Sequence, residues 1–290
     1  MKKAALALLV TLLAAGSGSA QNRWSPARTP DGQPDLQGTW VNFDSTPFER
    51  AGAVALRPGQ PGVNPPDHWT ENASPKSKQR TAMVVDPPEG VVPVLEWAEA
   101  KRDFDLDHLG DAPEHETPWV RCITRGIPAG MFPAGYNNAY QIIQTAGYLV
   151  IVSEMIHGTR IIPLDGRPHI GERVRLWDGD SRGRWEGTTL VVETTNFNNK
   201  GSIGTSAATG RMRGIPSSDS LRIVEHFTRV DQKTINYDVT IDDAKVYSRP
   251  WKVAFPLNLD ATYKMYEYAC HEGNFSIPNE LSAGRANEVK

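Results

Sequence analysis

The feature that most constrains the fold is a succession of short β-rich runs, mostly separated by brief turns, in residues 138–270. Ala146-Gly147 and His157-Gly158 are tight turns of the kind that joins antiparallel strands. An up-and-down meander of this size avoids exposed edges by closing into a barrel or a curved sheet, so the chain is predicted to be mostly β. The predicted strands are 140–145, 148–156, 159–164, 184–186, 188–197, 221–229, 234–241, 251–255 and 263–270.

Residues 21–135 differ in composition, because they contain most of the 22 prolines. Proline fixes φ and lacks an N–H group, so this density interrupts both helices and strands. We therefore expect an extended, proline-rich arm that wraps the β-meander of residues 136–290. Two regular elements are predicted within the arm, a short strand over 38–43 and one short amphipathic helix over 94–104.

The N-terminus is typical of a secretory signal peptide. Lys2 and Lys3 precede an almost wholly apolar run over 4–16, and small residues lead to Gln21. This run would span about 20 Å as a helix, which is short of the roughly 30 Å core of a bilayer. The sequence predicts a signal peptide over residues 1–20, a periplasmic or secreted protein, and no membrane insertion after cleavage. An uncleaved anchor is the alternative.

The chain has two cysteines, Cys122 and Cys270, and neither belongs to a C-x-x-C motif. In an oxidising compartment an even number of cysteines favours pairing. We predict a disulfide between them. Two buried free thiols, or one reactive cysteine, are the alternatives.

Charge and motifs exclude several classes of function. The formal net charge is −3 without a block of Lys or Arg, so no nucleic-acid partner is expected. The chain has no G-x-S-x-G, P-loop or G-x-G-x-x-G motif, which disfavours serine hydrolases and nucleotide enzymes. The seven histidines lack a dense ligand spacing, so neither a metal nor a cofactor is predicted. The oligomeric state is left open.

The densest mixture of charge and aromatic surface lies in residues 177–198. Asp180, Arg182, Trp185 and Glu186 follow one another around a predicted turn. Loops on a rigid scaffold commonly carry function, so we predict that these four residues bind a ligand at the rim of a cavity. The alternative is a salt-bridged turn with Trp185 packed in the core.

Two further pairs are candidate site residues. His271 and Glu272 follow the last predicted strand, where a bridged Cys270 would anchor them, and a base beside a carboxylate is a common catalytic pair. Asn137 and Asn138 precede the first strand of the meander, where their amides could bind a ligand or tie down the backbone.

The alternation of side chains along the predicted strands indicates three further candidate carboxylates. Glu154, Glu225 and Glu267 each fall on an otherwise apolar strand face, so they line a cavity or lie on an outward face. Residues 198–220 interrupt the meander as a polar loop, either a plain surface loop or a lid.

Three strings, IPLDGRPH (162–169), GDSRGRWEGTTLVVETTNF (179–197) and EYACHEGN (267–274), resemble those of a family of secreted bacterial proteins of uncharacterised function. The resemblance implies no established reaction or catalytic residue. Gly38-Thr39-Trp40 is similar to the Gly-x-Trp of lipocalins, a fold-level analogy only.

Together these features favour a lipocalin-like barrel that binds a small organic or carbohydrate-like ligand in its cavity. An acid–base enzyme, such as a lyase, isomerase or hydrolase acting in the same cavity, is the first alternative. A structural protein of the cell envelope is the second.

Overall fold

The computed structural model describes residues 24–53 and 80–288, which form one sheet of ten strands and two α-helices. The predicted signal peptide lies outside the described residues. The strands are β1 (Gly38–Val41), β2 (Val84–Asp86), β3 (Ala139–Gln144), β4 (Tyr148–Ser153), β5 (Thr159–Pro163), β6 (Asp180–Glu186), β7 (Thr189–Thr195), β8 (Arg222–Arg229), β9 (Thr234–Asp242) and β10 (Trp251–Leu259). The helices are α1 (Glu96–Asp107) and α2 (Ser276–Glu288).

Nine strands follow one another around the sheet in chain order. β1 pairs with β3, followed by β4 and β5, and on its other side β1 pairs with β10, followed by β9, β8, β7 and β6. β2 stands outside this order and pairs with the start of β10. The fold is therefore the predicted one, an antiparallel up-and-down sheet that is nearly closed into a barrel.

The barrel does not close between β5 and β6, which are the two ends of the nine-strand order. Each hydrogen-bonded neighbour in the ring is antiparallel, and an odd number of strands cannot alternate in direction all the way around. Consequently β5 and β6 run in the same direction, and they lie side by side without pairing. The chain needs a long crossover to join two parallel strands, here residues 164–179. We call the gap between β5 and β6 the seam.

Side chains, rather than backbone hydrogen bonds, hold the seam together. Gly183 of β6 lies against Ile162 and Leu164: a Cβ at this position would lie 2.6 Å from Leu164 Cδ2 and 3.0 Å from Ile162 Cγ2. The missing side chain thus lets the two strands approach each other closely.

The inward face of the sheet is filled with large apolar side chains. Burial alternates along β9 and β10, as expected for strands with one face on a core. Phe48 and Phe132 of the proline-rich arm join this core, since their rings pack on each other with centroids 5.0 Å apart. Phe48 also packs on Trp251, and Phe132 on Phe255. The arm therefore contributes β1, β2, α1 and part of the core.

Three details of the sequence interpretation need correction. Residues 263–270 are not a strand, because β10 already pairs with β9 on one side and with β1 and β2 on the other. The predicted turn over 178–183 is mostly strand, since β6 begins at Asp180. Helix α2 was not predicted, because its sequence lacks an apolar stripe. In the structure none of its residues is buried.

The segment 198–220 is packed into the body. Ile203, Met212 and Ile215 are fully buried in the core, and Arg211 forms a buried ion pair with Glu49 at 2.9 Å. Burial raises the pKa of Glu49, although Arg211 opposes this. This segment is accordingly neither a plain surface loop nor a lid.

Candidate functional site

A cavity of about 320 Å³ lies at the seam, where β4 ends and β5 and β6 begin. We call it the seam cavity. Its size is at the lower end of the range of small-molecule sites. Three segments form its walls: residues 123–131 of the arm, residues 151–161 around the turn between β4 and β5, and residues 176–181 at the start of β6.

The walls of the seam cavity are amphipathic. The apolar lining is Ile123, Ile127, Met131, Ile151, Met155, Ile156, Ile161 and Leu176. The polar lining is Thr124, Arg125, Ser153, Thr159, Arg160, Asp178, Asp180 and Ser181. An apolar body with a few convergent polar groups is the composition of a ligand site.

Arg160 is the main polar group at the seam. Its guanidinium donates to Ser181 Oγ at 3.0 Å, to Thr194 Oγ1 at 2.8 Å and, from Nη1, to Glu225 Oε1 at 2.9 Å. Its Nη2 also donates to Glu225 Oε2, which makes the ion pair bidentate. Arg160 thereby ties β5 to three strands on the other side of the seam.

Glu225 belongs to this network and lies behind Arg160. Its side chain is fully buried and accepts a hydrogen bond of 3.0 Å from the hydroxyl of Tyr237. Burial alone would lower the pKa of Arg160, but the charge of Glu225 and its hydrogen bonds leave that pKa raised. Glu225 therefore faces the barrel interior, where its charge is neutralised by the ion pair with Arg160.

The other two acidic residues of the alternating pattern lie elsewhere. Glu154 follows β4, is buried, and accepts hydrogen bonds from the Tyr263 hydroxyl at 2.8 Å and the Tyr266 N–H at 2.9 Å. Glu267 is exposed in the irregular segment after β10. The three carboxylates do not share one cavity.

Asp180 lines the seam cavity, but its carboxylate is already hydrogen-bonded to other groups of the protein. It accepts hydrogen bonds from Arg182 Nη1 at 2.7 Å and from the Ile170 N–H at 3.1 Å, and His169 Nδ1 lies 2.8 Å away. Arg182 also donates to the carbonyl oxygen of Pro168 at 3.0 Å. Both residues thus hold the crossover against β6.

Trp185 and Glu186 are not part of the cavity lining. Side chains alternate along β6, so Trp185 lies on the opposite face from Asp180 and Arg182 and packs partly against the core. Glu186 is exposed beside Arg184. The four residues were predicted at one rim on the assumption of a turn; as a strand they divide between two faces.

His271 and Glu272 lie away from the seam cavity, and both are exposed. Glu272 borders a separate open groove of about 490 Å³ together with Trp119, Tyr136 and Tyr268. The groove and the seam cavity have no lining residue in common.

Asn137 and Asn138 have local roles in the backbone. Asn137 adopts a left-handed conformation with φ of 51°, which asparagine tolerates better than most residues. Asn138 is fully buried, and its amide both donates to and accepts from the backbone of Ala134.

The predicted disulfide between Cys122 and Cys270 is present, with Cα atoms 5.6 Å apart. It joins the arm to the segment after β10. Because Cys122 directly precedes residues 123–131, the bond anchors one wall of the seam cavity to the rest of the body.

Two ionic groups of the seam cavity were missed by the sequence interpretation. Asp178 is exposed, and its carboxylate accepts a hydrogen bond of 2.7 Å from Thr124 Oγ1. Desolvation of the carboxyl by the surrounding residues raises its pKa, which Thr124 and Arg160 oppose. Asp178 had been assigned to a turn.

Arg125 is the second of these groups and is 5% exposed. Its Nη2 makes a long hydrogen bond of 3.4 Å to the Phe132 carbonyl, and its guanidinium lies 5.8 Å from the centre of the Trp119 ring. Its Nε is buried without a hydrogen-bond partner among the described residues. Burial lowers the pKa of Arg125. No periodic signal marks this residue, because it lies in coil.

Comparisons of the chain with protein-family models, with curated proteins and with solved structures find no match. Across residues 24–53 and 80–288, no helix is long and apolar enough to cross a membrane. The function must therefore be argued from the chemistry of the seam cavity.

Proposed function

We propose that this protein is exported and binds a small organic ligand in the seam cavity. The observation that carries the proposal is the cavity itself, whose walls combine apolar side chains with an equal number of polar and charged ones. Large apolar side chains pack against one another inside the barrel, and two of them, Met131 and Ile151, also line the seam cavity.

The experiment is a thermal-shift screen of small organic compounds, followed by titration calorimetry of the compounds that stabilise the protein. Ser153 is on the same face of β4 as the buried Ile151 and lines the cavity, so Ser153→Phe places a ring in the space. Val152 is on the opposite face, so Val152→Phe is the matched control. We expect the first variant to abolish binding and the second to retain it.

Two results would contradict the proposal. One is a screen without a stabilising compound. The other is a set of compounds whose affinity is the same for Ser153→Phe and for the wild-type chain, because these compounds would bind elsewhere.

Export is supported by the N-terminal sequence pattern and by the disulfide, which is typical of oxidising compartments. Mass spectrometry of the protein from its native host is expected to find an N-terminus near Gln21. An intact Met1 in the mature fraction would refute the cleavage.

Asp178 favours acid–base chemistry as a second candidate function. A carboxyl that lines the cavity, accepts a hydrogen bond from Thr124 and has a pKa raised by desolvation is suited to proton transfer. If a stabilising compound is also turned over, Asp178→Asn should remove turnover at saturating substrate. Turnover that survives this substitution would exclude the assignment.

A further inference from the structure

The ionic groups of the seam cavity divide into those that are already paired and those that are not. Arg160 is paired with Glu225, and Asp180 with Arg182. Among the described residues, neither Arg125 nor Asp178 takes part in an ion pair. A ligand therefore meets one available cation and one available anion.

A buried arginine without an ion-pair partner, such as Arg125, is unusual. A guanidinium has five N–H donors, and burial of such a charge is unfavourable unless it is paired. Arg125 makes one long hydrogen bond and a stacking contact with Trp119, and its Nε has no partner among the described residues. A carboxylate in the cavity would supply the countercharge that Arg125 lacks and would accept hydrogen bonds from its guanidinium.

Both side chains line the seam cavity. Asp178 accepts its hydrogen bond from Thr124, the residue that precedes Arg125 in the chain. A ligand in the cavity can therefore contact Arg125 and Asp178 together.

We infer that the seam cavity selects a small organic anion, whose carboxylate binds Arg125 and whose hydroxyl or amino group donates to Asp178. The apolar side chains of the lining would contact the body of the ligand. This inference rests on the proposed ligand binding and adds the chemical class of the ligand.

The test uses titration calorimetry with the full mature chain, three aromatic probes of similar size, and inorganic sulfate. The probe 4-hydroxybenzoate has a carboxylate and a hydroxyl at opposite ends, benzoate lacks the donor, and methyl 4-hydroxybenzoate lacks the charge. Binding of inorganic sulfate would indicate a site for simple anions. A hydrogen bond to a charged group is typically worth about 10- to 100-fold in affinity, so the acid should bind more tightly than its ester by about that factor.

Variants assign the effect to the two residues. Arg125→Gln should weaken binding of 4-hydroxybenzoate by about 10- to 100-fold and change binding of the ester by less than about threefold. Asp178→Asn should weaken 4-hydroxybenzoate by about 3- to 10-fold and leave benzoate unchanged. Arg184→Gln is the control for net charge, because Arg184 is exposed and lies outside the cavity lining.

The acid–ester comparison uses the wild-type chain, so it is decisive even if Arg125→Gln does not fold. Equal affinity for acid and ester, binding of sulfate as tight as that of 4-hydroxybenzoate, or no binding of any organic probe up to about 10 mM overturns the inference. The proposed function fails separately, if the compound screen gives no binding that is sensitive to Ser153→Phe.

Discussion

The ion pair between Arg160 and Glu225 gives the sharpest prediction for stability. The side chain of Glu225 is 0% exposed and that of Arg160 is 11% exposed, so removal of either partner leaves a charge in the protein interior. Loss of one partner of a buried pair costs about 3–5 kcal/mol, whereas replacing both partners by apolar side chains is often nearly neutral. We expect Arg160→Met and Glu225→Leu each to lower the free energy of unfolding by about 3–5 kcal/mol.

The double variant should be more stable than either single variant. It leaves no buried charge, and the hydrogen bonds it loses, to Ser181, Thr194 and Tyr237, contribute about 1 kcal/mol each. Urea unfolding of the four chains at one pH gives the free energies, and a constant m-value verifies that the unfolded states are comparable.

The reasoning would be refuted if the double variant loses as much free energy as the two single variants together. Additivity would mean that the two side chains contribute independently and are not coupled as an ion pair.

Three further predictions concern the disulfide, the seam and pH. Replacing both Cys122 and Cys270 by serine opens a covalent loop with a sequence separation of 148 and should cost up to about 5 kcal/mol; an unchanged urea midpoint would contradict this. Gly183→Val should cost about 1–3 kcal/mol by overpacking the seam, whereas Gly147→Ala, which meets open space, should not change the midpoint measurably. Desolvation raises the pKa of Asp178 above that of the unfolded chain, so this group lowers stability as pH rises through those values. Asp178→Asn should therefore raise the urea midpoint near pH 7, and a gain that does not shrink toward pH 4 would contradict the assignment.

The strands could be predicted because their pattern is local. Alternation in β9 and β10 places Tyr237, Val239 and Phe255 inward, and the structure buries them. The same rule fails at residues 263–270, which were predicted as a strand and are irregular in the structure. Both sides of β10, the strand that precedes this segment, are already paired, so the segment does not continue the meander beside it.

The site could be predicted only in part for a similar reason. The sequence directed attention to residues 177–198, and Asp180 does line the seam cavity. Arg160 and Arg125 approach the same cavity from β5 and from the arm, at sequence distances that a local pattern does not cover. Arg160 could have been noticed, since it shares the inward face of β5 with Ile162 and is therefore a charge on a buried face.

The unpaired edges at the seam also affect the tendency of the protein to aggregate. A sheet with two unpaired edges usually risks association through them, since each edge is a template for another chain. Here β5 and β6 lie side by side, and Arg160 of β5 is hydrogen-bonded to Ser181 of β6, which limits the access of another chain to either edge. If the two strands separate, both edges become available for pairing with other molecules. The first intermolecular aggregates should then form through β5 and β6.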